Sequence, residues 1–518
     1  MGAYVIGIDA GGTMTKAALF DEDGRELACA RSRNVVHFPR QGWTERDAGV
    51  MWRAAASSVR QVMADAGVAA GDVAGIAPSG YGSGLYLLDG DGNTVRPGIN
   101  STDSRAAAIV AELQADGRAA EVARLVQQAP WAGQSLMLLL WLQRHEAEVL
   151  ARTHRISFCK DYLRARLCGE LSTDYTDAGS SGLLDCAAGQ WSHDVLRLLG
   201  MQDWIPKLPD IGPSDEIVGG VSPQAAQETG LLPGTPVVRG AVDMCAAALA
   251  SNLSSPDQMS VVAGTFSIAT TLHRDAPKRD SVPLLQFPYP RGGWLAVEAS
   301  ATSASNLEWM VRTVLDHGGA LPHDIGVDLY ATVNDAVGRV RGVHTDTLFY
   351  PYLFGGPDGA PSGLVGMNAR TSFDKVMLAV FEGIVFAHKA DIDQALSGRD
   401  AAAPSVIRLT GGATNSPCWT QMFADILGRP IEVPEGTEFG ALGVAICAAA
   451  ATGVHGSLDA AIEGMTGLSR RFEPDRSFGA VHLAKYPRWT AIRDAMALGN
   501  AAVPPGAARA NAPEVAHA

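Results

Sequence analysis

The chain carries one hairpin-like segment twice, about half its length apart, and this repetition limits the folds open to it more than any other feature. The first copy runs from Val5 to Phe20, as two apolar stretches joined by a turn of Asp9, Ala10, Gly11, Gly12 and Thr13. β-Branched and apolar residues favour strands on both sides, and the glycines permit a tight turn whose N–H groups can meet an anion without a Cβ in the way. Thr13, Thr15 and Lys16 are donors suited to phosphate oxygens, and Asp9 at the strand end is placed to hold a hydrated Mg²⁺. An ordinary Gly-Gly hairpin would use the same residues. The second copy, Met259 to Thr271 with Gly264, Thr265, Phe266 and Ser267 in its turn, favours the phosphate reading. A long-period echo of one hairpin implies two related domains facing a cleft, with the two turns gripping a polyphosphate from opposite sides.

Composition narrows the partners. The 518 residues are 47% hydrophobic and 19% charged, as in a globular protein, and no apolar run approaches the roughly 20 residues that span a bilayer. The longest, Leu136 to Leu142, is far too short, and no leader is evident at Met1, so a cytoplasmic chain without a membrane partner is expected. A formal charge of −14 argues against nucleic acid or anionic lipid as a partner. A nucleotide would have to be held by local N–H donors and Mg²⁺. The seven cysteines are scattered without a CxxC pair, which predicts reduced, packed thiols and no zinc site.

Strand-like and helix-like stretches alternate throughout, which predicts α/β architecture. Helical spacing covers Val50 to Asp65, a strand follows at Val73 to Pro78, and a helix is expected from Asp103 through Leu113. Gln190 to Pro233 is rich in Pro, Asp and Gly and reads as a loop-rich linker or cap. A strand at Pro236 to Val242 and a helix at Met244 to Leu253 precede a domain boundary near Asn252 to Asp257. The expected domains are therefore 1–253 and 254–490. The Ala- and Pro-rich segment 500–518 reads as a disordered tail.

Asp243 stands between a buried-looking strand and an Ala-rich helix. Two uses are open to it: an N-cap of that helix, or a base presented to a cleft that takes the proton of a substrate hydroxyl during phosphoryl transfer. Downstream, Val406 to Ser416 reads as strand, Gly411-Gly412 turn and a helix beginning near Ser416-Pro417, where small residues would let a flat base lie against backbone. Phe439 to Ile446 repeats the small-residue theme on a helix, as close helix packing requires. There is no GxxxxGK[ST], and Gly80, Gly82 and Gly84 do not make a dinucleotide fingerprint.

This ordered set of motifs resembles the FGGY carbohydrate kinase family. The first hairpin is similar to its DxGTxS loop, Gly42-Trp43-Thr44-Glu45-Arg46-Asp47 with Trp52 to its GWxExD…W segment, and Asp103-Ser104-Arg105 to its DxR element. Cys159 to Glu170, continuing to Thr173-Asp174, is similar to its KDYLxxxLTGE…TD stretch. Asp243, Gly264 to Ser267, Leu409 to Asn415 with Trp419, and Phe423 to Pro430 complete the series, which runs to about Trp489.

The resemblance implies two actin-like (ribonuclease H-like) ATPase domains enclosing a central cleft that closes on ATP and a sugar. It implies Asp243 as catalytic base, in contact with the substrate, and Asp9 as the Mg²⁺-associated carboxylate. Gly11, Gly12, Thr13, Lys16, Gly264 and Thr265 fall on the phosphate hairpins, and Gly411, Gly412, Ala413 and Asn415 on the adenosine pocket. Tyr81, Gly82 and Ser83 occupy the sugar-reading loop, with Trp131 as an apolar wall. D-Xylulose kinases usually place Gln-Met-His in that loop and glycerol kinases Gln-Arg-Glu, while Ser101 replaces a common Trp. These departures, and the run Glu298 to Trp309, point to the L-xylulose kinase branch, with erythritol kinases nearby. An ATP-dependent pentulose kinase is therefore expected, with a polyol or sugar-acid kinase, or a non-catalytic sugar sensor, as the alternatives. A homodimer is among the assemblies open to the chain.

Overall fold

The computed structural model describes residues 4–276, 283–315, 328–397 and 403–501, and builds them on two mixed sheets, one for each copy of the hairpin. The first sheet contains β1 (Tyr4–Ala10), β2 (Met14–Phe20), β3 (Glu26–Arg33), β4 (Val73–Gly80), β5 (Ile217–Gly220) and β6 (Pro236–Val238), in the order β5-β6-β4-β1-β2-β3. A short β7 (Ala241–Val242) pairs with the end of β4. Its helices are α1 (Ala48–Ala66), α2 (Cys159–Cys168), α3 (Tyr175–Ser180), α4 (Pro223–Thr229) and α5 (Asp243–Ala250).

The second sheet contains β8 (Gln258–Ala263), β9 (Ser267–His273), β10 (Leu285–Pro288), β11 (Trp294–Ser300), β12 (Val406–Thr410), β13 (Ile431–Pro434) and β14 (Leu468–Phe472), in the order β10-β11-β9-β8-β12-β13-β14. The second half of the chain also supplies α6 (Ala304–Trp309), α7 (Leu329–Val340), α8 (Phe373–Leu396), α9 (Pro417–Leu427), α10 (Phe439–Ala451) and α11 (Tyr486–Ala501). The repeat is topological. β1 is antiparallel to β2 and parallel to β4, and β8 is likewise antiparallel to β9 and parallel to β12.

Alternation along β1 sorts its side chains between two layers. Ile6, Ile8 and Ala10 pack with Met51, Trp52 and Val59 of α1 and Leu163 of α2. Val5 belongs to a second core in which α5 and α10 join Ala77 of the first sheet to Phe287, Leu295 and Val297 of the second. α10 lies so close to the first sheet that a Cβ on Gly7 would strike the backbone of Ala441. Thus the chain leaves the first sheet's elements after α5 and enters β8 through residues 251–257, yet a helix from its second half closes the first sheet.

Several expected elements take different bounds. The helix expected from Asp103 starts at Ala107, because the Asp103 carboxylate already accepts from Thr44 N–H (2.6 Å) and from the Arg105 guanidinium (2.8 Å). The strand expected at Pro236 to Val242 is broken into β6 and β7 at Gly240, whose φ is 81°. Gln190 to Pro233 is not merely loop or cap, since β5 within it is the edge strand of the first sheet. Its Gly219 lies at a register shift, which hid the strand's period. Asn500 and Ala501 of the expected tail belong to α11, and the rest of that segment lies outside the described residues. The run Leu136 to Leu142 is buried in a helix, Ser135–His145, and among the described residues no helix is long and apolar enough to cross a membrane.

Candidate active site

The ends of β1, β4 and β7 meet at one edge of the first sheet, the usual place for ligands in open α/β sheets. Register places Ser79 of β4 beside both Asp9 of β1 and Ala241 of β7, and Asp243 follows directly on the first turn of α5. Asp243 is not the N-cap that the residues alone allowed: Val242 holds that position, and the Asp243 carboxylate accepts from the next N–H, of Met244, at 2.7 Å. Burial pushes its carboxyl up to about 7, and the negative charge of Asp9 adds to the effect. Such a group can take a proton near neutral pH.

β7 is held from beneath by a buried polar chain. Val242 N–H donates to Thr176 Oγ1 (2.9 Å), whose hydroxyl donates to Asp174 (2.6 Å), and Asp174 pairs with Lys160 (2.9 Å). Ser214 also donates to Asp174 at 2.7 Å. The two ends of the Cys159 to Asp174 motif therefore meet below the residue that precedes Asp243.

Burial raises the Asp9 carboxyl, with Lys16 opposing and Glu438 reinforcing the shift. One Asp9 oxygen, Oδ1, is buried without a hydrogen-bond partner, as is Ser79 Oγ. An orphaned carboxylate oxygen suits a cation. Among the described residues no group of three or more His, Cys, Asp or Glu side chains converges as a protein-only metal cage. The donor set thus fits Mg²⁺ held through one carboxylate with water and phosphate completing its shell.

The first hairpin presents Gly12 and Thr13 to solvent. Its turn is braced by residues that sequence reading did not assign. Asn34 donates to Gly11 O (2.8 Å) and accepts from Thr15 Oγ1 (2.7 Å), and Arg46 donates to Thr15 Oγ1 (2.8 Å). Lys16 lies opposite Asp9 in register, but its ammonium pairs with Glu438 (2.8 Å), which also takes Arg31 (2.6 Å). Arg46 lies within the Gly42 to Asp47 motif; nothing local marks Asn34 or Glu438.

In the second half a cavity of about 700 Å³ is lined by Gly264, Thr265, Gly412 and Asn415 together with Ser305, Tyr330, Asn334 and Trp419. Gly411 and Ala413 do not line it: Ala413 is fully buried, and Gly411 has φ 93° with the Ala263 carbonyl against its missing Cβ. Ser416 caps α9 and also donates to Asn334, fixing the turn. The first hairpin is not part of this wall.

The loop of Tyr81, Gly82 and Ser83, expected to read the sugar, is turned into the fold. Tyr81 is buried, its hydroxyl bonded to Tyr86 (2.9 Å) and Asn100 (2.8 Å). Ser83 is fully buried with φ 61°, and its hydroxyl donates to Ser180 O at 2.6 Å. A Cβ on Gly82 would lie 2.8 Å from Val242 Cγ2 and 3.0 Å from Ser180 Oγ. Trp131 is partly buried, with a buried indole N–H that has no partner.

Residues 4–250 match the N-terminal domain of the FGGY family of carbohydrate kinases, and residues 259–452 match its C-terminal domain. A probable L-xylulose kinase of Pasteurella multocida (strain Pm70) is 33% identical over 497 residues, 95% of this chain and 99% of that protein. The chain belongs to the FGGY family of carbohydrate kinases. An L-xylulose/3-keto-L-gulonate kinase of Escherichia coli (strain K12) is 31% identical over 492 residues, 94% of this kinase and 96% of that protein. The two-domain fold of this FGGY kinase is also that of a ligand-bound xylulose kinase from Lactobacillus acidophilus, with TM-score 0.86, 22% identity, and coverage of 96% and 98% of the two chains.

Proposed function

We propose that this kinase transfers the γ-phosphoryl group of ATP to a terminal hydroxyl of a pentulose of the L-xylulose type. The observation that carries the reading is Asp243, a carboxyl raised to about 7 at the strand ends and close enough to Asp9 to feel its charge. Asp243 takes the hydroxyl proton as the sugar oxygen bonds to the γ-phosphorus and the bond to the β-phosphate oxygen breaks, releasing ADP. Asp9 would hold Mg²⁺, which neutralises charge on the phosphates when bound. Gly12 and Thr13 on one hairpin and Gly264 and Thr265 on the other supply N–H and hydroxyl donors to phosphate oxygens. The cavity walled by Gly412, Asn415 and Tyr330 takes the adenosine. Seven unpaired cysteines are in keeping with a cytoplasmic setting.

The pentulose assignment is supported by the two L-xylulose kinases above, each matched over nearly its whole length. The test is sugar-dependent ADP release across L-xylulose, D-xylulose, the ribuloses, erythritol, glycerol and gluconate. The highest kcat/KM is expected with L-xylulose, and a best substrate without a ketopentose frame would overturn the assignment. A chain that binds sugar yet releases no ADP would be a sensor.

A further inference from the structure

Two walls of the 700 Å³ cavity, the turn after β8 and the start of α6, are joined from behind by one buried side chain. His388 on α8 is fully buried. Its Nδ1 lies 2.9 Å from Ser267 Oγ and its Nε2 lies 2.9 Å from Ser303 Oγ. Ser267 stands two residues beyond Thr265, and Ser303 two residues before Ser305, so each serine ends a segment that lines the cavity. The edge of the ring meets Phe423 at 5.1 Å between centroids.

Proton accounting gives this cluster one arrangement. Burial pushes the imidazole down to about 3, so it is neutral and carries a single N–H. Asp391, one turn along α8, accepts from Ser300 Oγ (2.7 Å) and from the Ser267 hydroxyl. With its only proton given to Asp391, Ser267 accepts from Nδ1–H, and Nε2 is left to accept from Ser303. Each buried donor then has an acceptor, as buried polar groups require. The first hairpin is braced comparably by Asn34 and Arg46.

We infer that His388 is a positioning residue for the nucleotide: by tying Ser267 to Ser303 it sets the spacing between the second hairpin and α6, and so the width of the cavity that Thr265 and Ser305 line. The inference rests on the reading of this cavity as the ATP site. A histidine that merely fills the core would leave nucleotide and sugar affinities equally affected by its loss.

His388→Phe keeps a ring against Phe423 but removes both hydrogen bonds, and Ser303→Ala removes one of them with little change in volume. Calorimetry with Mg²⁺-ADP and with L-xylulose, together with KM for ATP, reads the outcome. Each variant is expected to raise the ADP Kd and the ATP KM about tenfold, because either one breaks the link between the two walls, while the sugar Kd stays within about twofold. The double variant should be no weaker than His388→Phe, because both substitutions break the same link. Unchanged ADP affinity in folded Ser303→Ala, or parallel loss of sugar and ADP affinity, would overturn the inference even if His388→Phe failed to fold. A wild-type chain that bound no ADP would overturn both the inference and the ATP reading beneath it.

Discussion

Gly440 sits against Asp9: a β-carbon at 440 would lie 2.7 Å from the Asp9 carboxylate carbon. The contact joins the first turn of α10, from the second half of the chain, to the strand end that carries the orphaned oxygen of the site. Gly440→Ala should therefore displace the carboxylate and cut turnover by about tenfold or more while the fold persists, since a small misplacement at the reacting centre is costly. Gly443→Ala, three residues further along the same helix, presses on the backbone carbonyl of Ala246 and should lower Tm first. Paired Tm and kcat measurements on both variants check the distinction. Loss of Tm without loss of specific activity in Gly440→Ala would refute it.

Asp243→Asn should lower turnover by about 10²-fold or more while leaving sugar affinity nearly intact, the scale of a lost general base. In the wild type, kcat/KM should rise with pH through an apparent pKa of about 7. Asp9→Asn removes a negative neighbour, so the Asp243 titration, followed by carboxyl ¹³C NMR, should move down.

The same carboxyl bears on stability, with a definite sign. Its folded pKa of about 7 stands above its ordinary value of 3.8. The folded chain therefore holds that proton more tightly, and stability is lost as pH rises from about 4 toward 7. Asp243→Asn removes this cost, so its Tm should exceed that of the wild type at pH 8 and approach it at pH 4. An equal Tm difference at both pH values would show that enclosure does not raise this carboxyl.

Thr265 is exposed at the turn of the second hairpin, so Thr265→Val removes a hydroxyl donor without opening a core. ATP KM should rise or phosphoryl transfer should slow, with Tm unchanged. A lower Tm with normal ATP kinetics would assign the hydroxyl to the fold.

Gly82 faces Val242, the residue before Asp243, rather than open space. Gly82→Ala would push on Val242 and Ser180, so kcat should fall by a similar factor for every sugar tested. The ratio of kcat/KM between L- and D-xylulose reads this directly. A changed ratio at constant kcat would instead place position 82 in sugar selection.

What depends on neighbours along the chain is legible in the order of the residues. Alternation and turn chemistry marked both hairpins, the strand before Asp243, and the Ser416-Pro417 start of α9, because side-chain period and glycine-permitted turns are local properties. Motif order marked the family. The edge strand Ile217–Gly220 was hidden by its irregular register at Gly219, and the start at Ala107 by the capture of Asp103 in contacts made elsewhere. Folding in three dimensions brings Lys16 to Glu438, leaves an Asp9 oxygen unpartnered, turns Ser83 inward to Ser180 and raises the Asp243 carboxyl to about 7. Each of these depends on low-dielectric enclosure or on partners brought from distant segments, above all by α10 crossing to the first sheet, and no local pattern encodes the outcome of that packing.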